Sequence, residues 1–89
     1  MMVMENNVEK KKMRLVWDLV FDGVHKVRYE THMFYLEKAK ELAEECPEEF
    51  RKDLQQAIKT SDFQYNSSPL WDFISKYESA HNDGFGGRN

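Results

Sequence analysis

Cysteine is almost missing from this chain. Cys46 is the only one in 89 residues, which excludes an internal disulfide framework and a cysteine-based zinc site. Its scarcity fits a reducing, cytoplasmic setting. Long apolar runs are missing too. The stretch from Met13 to Phe21 is interrupted by Asp18 and falls far short of the roughly 20 residues needed to span a bilayer. Glu5 precedes the lysines at 10 to 12, so the start does not read as a secretory signal. Neither secretion nor membrane insertion is expected. Neither sign of charge dominates: the formal net charge is -3, which argues against a general nucleic-acid binder. The motifs of phosphate-binding loops, dinucleotide folds, HExxH metalloproteases and nucleophile-elbow serines are all missing. The chain is therefore expected to be non-enzymatic and to carry no cofactor.

What is present has the balance of an ordinary globule, with 33% charged and 40% hydrophobic residues. A chain of this length makes one domain and buries about 60 to 65 per cent of its unfolded surface. A small core fits; a core with a deep substrate pocket is harder to accommodate. The densest apolar stretch runs from Met13 to Leu36 and holds Trp17, Phe21, Tyr29, Phe34 and Tyr35, so the fold must be organised around it.

Residues 13–31 satisfy two templates. As a helix, Met13, Val16, Val20, Val24 and Val27 recur at spacings of three and four, and Arg14, Asp18, Asp22 and Lys26 form a charge-complementary stripe at steps of four. As a β-hairpin turning at Asp22-Gly23, Met13, Leu15, Trp17 and Leu19 share a face with Val27, Tyr29 and Thr31, and Asp18 opposes Lys26. Gly23 costs a helix only about 1 kcal/mol and does not decide between them. The downstream chain favours helix. Phe34, Tyr35, Ala39 and Leu42 continue the periodicity, and YLEKAKELAEE is made of strong helix formers. Only a narrow stripe, Lys26, Glu30, Glu37, Glu41 and Glu44, is consistently charged, while Tyr29, Met33, Leu36 and Ala43 form a second apolar band. A helix apolar over that much of its circumference is normally covered from two sides.

The remaining boundaries are simpler. Pro47 ends one helix at Cys46 and opens another over 47–59, with Glu48 and Glu49 at the positive end of its dipole and Phe50, Leu54, Ala57 and Ile58 facing inward. After a polar loop over 60–68, Ser68 caps a last helix with Pro69 as its first residue and Leu70, Phe73, Ile74 and Tyr77 buried. Asn6 or Asn7 caps the first helix, which starts near Val8. The pattern predicts a mostly α fold, a compact bundle of about four helices with a break or kink near Gly23. The alternative is α+β, with a hairpin over 13–31 followed by three helices. Residues 1–7 are expected to be disordered, 8–82 to form the single domain, and 83–89 to make a flexible glycine-rich tail.

Three groups carry functional residue types. His25, Tyr29 and His32 share one side of a helix, but seven residues advance about 10.5 Å, too far for both imidazoles to reach one ion with bonds of about 2.1 Å. Hydrogen-bonded structural histidines are the expectation. Asp18, Asp22 and His25 have the composition of an acid–base group, yet the ion-paired stripe explains the same spacing. Cys46, beside Pro47, reads as a packing residue.

The aromatics say more. Trp17, Phe63, Tyr65, Trp71 and Phe85, with Leu15 and Leu19, exceed what a core of this size readily buries, and Trp and Tyr are favoured interface anchors. These seven are the candidate protein-contact residues. Lys10, Lys11, Lys12 and Arg14 are the candidate phosphate contacts. The expected function is that of a small acidic protein-binding adaptor, regulator or inhibitor, of the kind that immunity-type and phage-encoded inhibitors represent, acting on another protein and capable of forming a homodimer. A nucleic-acid-binding regulator using residues 10–14 is the alternative, and a small metal-dependent or hydrolytic enzyme the third reading.

Overall fold

The computed structural model of the protein describes residues 2–79. They form four helices, α1 (Met2–Val24), α2 (Tyr29–Ala43), α3 (Glu48–Thr60) and α4 (Ser68–Ser79). No strand occurs among the described residues. A lone pair of backbone hydrogen bonds between Asp62 and Asn66 closes the α3–α4 loop. The helical bundle stands, and the hairpin over 13–31 does not.

Burial explains why helix wins there. Val16, Trp17 and Val20 are buried together, whereas Leu15 is exposed and Leu19 is half-buried. A hairpin would have placed Leu15, Trp17 and Leu19 on one face; the 3.6-residue period separates them. Asp22-Gly23 forms no turn. The helix passes through both and ends one residue later, its last turn tightened by bonds from the His25 and Lys26 amides to the Asp22 and Gly23 carbonyls (3.2 and 3.1 Å). The chain then crosses to α2 through residues 25–28, which leaves Val27 solvent-exposed instead of on the core face.

At its other end α1 begins at Met2, ahead of Val8, so Asn6 and Asn7 lie inside the helix and not at its start. Once a helix is nucleated, extending it is far cheaper than starting it, and Asn costs only about 0.7 kcal/mol relative to Ala. Pro47 immediately precedes α3 instead of opening it. At α4, the Ser67 carbonyl accepts the first helical bonds, from the Leu70 and Trp71 amides, and the Asn66 side chain accepts the Ser68 amide at 3.1 Å. Ser68 is thus already helical, and the capping side chain sits two residues earlier. The expected tail over 83–89 lies outside the described residues.

All four helices supply the core: its largest fully buried side chains are Val16, Val20, Leu36, Phe50, Leu54 and Leu70. The α3–α4 pair is joined by the rings of Phe50, Phe73 and Tyr77, with centroids 4.8 to 5.3 Å apart. The α1–α2 pair is joined by close backbone approach. A Cβ built on Gly23 would stand 2.8 Å from the Tyr35 Cβ and also meet Leu36. The space beside the Gly23 α-hydrogen has no room for a methyl group, so the residue that looked like a helix breaker is a packing residue.

Gly23→Ala should therefore destabilise the fold by about 1 to 3 kcal/mol, even though alanine gains up to about 1 kcal/mol of helix propensity. Urea denaturation checks this; a stabilised variant would show that the helices are not held at this spacing.

Candidate interaction surfaces

The two histidines are fixed by the end of α1. A backbone carbonyl only accepts, so each imidazole must donate from Nδ1: His32 to the Gly23 carbonyl at 2.9 Å and His25 to the Phe21 carbonyl at 2.7 Å. These are among the last carbonyls of α1, which have no partner within the helix. His32 is 3% exposed and lies against the Phe63 ring at 4.7 Å. It is buried yet satisfied. His25 stays at the surface beside Phe21 and Trp71.

The cavity beside His32, about 340 Å³, is also lined by Tyr29, Asp62 and Phe63. Its carboxylate is already engaged, since Asp62 Oδ1 accepts the amides of Gln64 and Tyr65 at 2.9 and 3.1 Å, an Asx turn that shapes the loop. Among the described residues no three His, Cys, Asp or Glu side chains converge in a way that would hold a metal ion. Cys46 is buried, with its thiol 3.9 Å from the Leu42 carbonyl.

One polar cluster joins two helices. Asp53 Oδ2 on α3 accepts from Lys76 Nζ at 2.7 Å and from Tyr77 Oη at 2.5 Å on α4. The Lys76 and Tyr77 hydrogen bonds hold the Asp53 carboxyl below its ordinary pKa. The same bond to Asp53 raises Lys76, and burial, reinforced by Asp53, raises the Tyr77 phenol.

The seven expected contact residues fall into different places. Trp17 is buried, its Nε1–H donating to the Ile74 carbonyl at 3.1 Å, so it ties α1 to α4 and is not available to a partner. Phe63 is half-buried between Tyr29 (5.5 Å) and His32 and anchors the loop. Tyr65 is 82% exposed and Trp71 39%. Trp71 meets Phe21 and His25 edge-on, with centroids at 6.2 and 5.3 Å, and Phe21 stacks on Trp17 at 5.2 Å. Leu19 lies on another side, along a groove with Phe34, Tyr35 and Leu42, and Leu15 stands one turn before it on α1. Phe85 lies outside the described residues.

Sequence reasoning missed Phe21, His25 and Phe34 as surface groups. It expected both apolar bands of α2 to be covered: Leu36, Ala39 and Ala43 are buried, with His32 beside them, but Phe34 and Tyr29 point out.

The phosphate candidates do not converge. Lys10 and Lys11 are exposed, Arg14 is half-buried, and Lys12 is paired with Glu45 at the end of α2. The step from Lys11 to Phe21 is about 15 Å along the helix, which separates this group from the aromatic cluster. No helix among the described residues is long and apolar enough to cross a membrane. No family model, curated protein or solved structure matches the chain.

The Asp53 cluster has a pH signature. A carboxyl lowered on folding contributes stability above its unfolded pKa and loses it as pH falls through the folded value. Between about pH 5 and pH 2, Asp53→Asn should therefore lose less stability than the parent, while being the weaker protein at pH 7. Parallel acid limbs in thermal melts would contradict this.

Proposed function

We propose that the protein is a non-catalytic binding module for another protein, an adaptor, regulator or inhibitor, whose contact is anchored by Trp71 and Phe21. The observation that carries this reading is the aromatic patch itself. Trp71, Phe21 and His25 are partly exposed, yet each is fixed by ring contacts, and Phe21 is backed by the buried Trp17. Rigid aromatics that keep apolar surface in water lose little conformational freedom on binding, the property of interface anchors.

The chemistry of the partner follows from what borders the patch. Asp22, exposed and adjacent to Phe21, and the negative end of the α1 dipole disfavour a phosphate backbone there. The lysines of α1 lie about 15 Å away, near the middle of the helix. An apolar protein surface with a cationic edge suits the patch better than stacked nucleobases. A cytoplasmic setting suits the buried thiol of Cys46.

The test compares the parent with Trp71→Ala and Phe21→Ser as baits in extracts of the native cells, followed by titration of the purified partner. A protein held stoichiometrically by the parent, and at least about tenfold more weakly by either variant with helicity unchanged, supports the reading. Equal retention by all three baits overturns it, as does salt-sensitive capture of nucleic acid in place of protein.

A further inference from the structure

We infer that the groove between α1 and α2 seats a second copy of this chain, so that two helical hairpins meet about a twofold axis. The surface is separate from the Trp71 patch, and the inference stands independently of the binding role proposed above. The groove, about 490 Å³, is lined by Leu19, Phe34, Tyr35, Lys38, Glu41 and Leu42, and Leu15 continues it one turn earlier on α1. Phe34 is 59% and Leu15 52% exposed. The inner side of α2 is covered by α1 and α3, and this outer side is the half of its apolar circumference left open.

The order of residues along the groove identifies the occupant. The Lys12–Glu45 ion pair fixes one end of the α1–α2 register and the Gly23–Tyr35 approach the other. The helices therefore run antiparallel, with Leu15 near the level of Leu42 and Phe34 near the level of Gly23. Phe34 and Leu15, the most exposed apolar side chains along this groove, thus stand at opposite ends. A twofold axis that lies in the plane of the contact and crosses α2 between Lys38 and Glu41 exchanges those ends, lays α2 on α2, and sets each Phe34 at the Leu42 end of the other copy.

The charges obey the same operation. Lys38 and Glu41, both exposed, have opposite sign and sit near the centre of the groove. An antiparallel meeting of two α2 helices places each Lys38 against Glu41 of the second copy, forming the pair twice. A surface that complements itself under a twofold axis is what an isologous interface requires. The patch is smaller than the roughly 20 to 30 residues per side of a standard interface, so the dimer is a weak, concentration-dependent one.

Sedimentation equilibrium on the full chain tests this, from about 10 µM to 1 mM. The parent mass should rise from 10.7 kDa towards twice that value. Lys38→Glu and Glu41→Lys should each move the midpoint at least about tenfold higher in concentration, and the double reversal should recover most of the loss because it restores the pair with its signs exchanged. Circular dichroism checks that all three variants fold. A monomer throughout, or a double variant as weak as the single ones, overturns the inference. Trp71→Ala should leave the association unchanged, which separates its failure from that of the binding role.

Discussion

The close approach of α1 and α2 at Gly23 is the constraint on which the other contacts depend. It brings the Gly23 carbonyl within reach of His32, so that a buried imidazole closes the end of one helix from the side of another. It also sets the depth at which Val16 and Val20 meet Leu36 and Ala39. With these four in place, Trp17 reaches across to the Ile74 carbonyl and brings α4 onto the free side of α1. Helix α3 then fills the space between α2 and α4 with Phe50 and Leu54. A side chain at position 23 would move the first of these contacts and, through it, the others.

The same constraint shapes the surface. With α1 pressed against the inner face of α2, the outer face keeps Phe34, Tyr35 and Leu42 in a groove. On the side where α1 meets α4, the packing of Trp17 carries Phe21 outward to meet Trp71. The apolar excess visible in the composition is thus divided between two separate surfaces, one self-complementary in its charges and one a fixed aromatic cluster. Proteins seldom leave such patches exposed without a use for them. The lysines of α1 belong to neither surface.

Much of the fold was legible in the sequence, because helix periodicity survives in the positions of Val16, Val20, Phe50, Leu54, Leu70 and Phe73 regardless of tertiary context. The break after α1 was legible from Gly23, though for the wrong physical reason: turn chemistry pointed to a residue that is needed for spacing. The side of α2 that faces the core was not legible. Its two apolar bands are similar in hydrophobicity, and the choice is made by Gly23, whose partner across the interface no periodicity can name. The surface was half legible. Tyr65, Trp71, Leu15 and Leu19 were recognisable as excess apolar groups, but Trp17 was misplaced because its tie to a carbonyl on α4 spans 57 positions. Phe21 and Phe34 fit the helical pattern too well to stand out.

Residue-resolved hydrogen exchange of the native protein tests the dependence on the α1–α2 contact most directly. If that contact organises the fold, the amides of residues 16–23 and 35–39 exchange only by global unfolding, with free energies matching denaturant unfolding. Those of α3 and α4 then exchange no more slowly. Protection that is greatest in α3 and α4, with α1 and α2 opening independently at lower free energy, would contradict it.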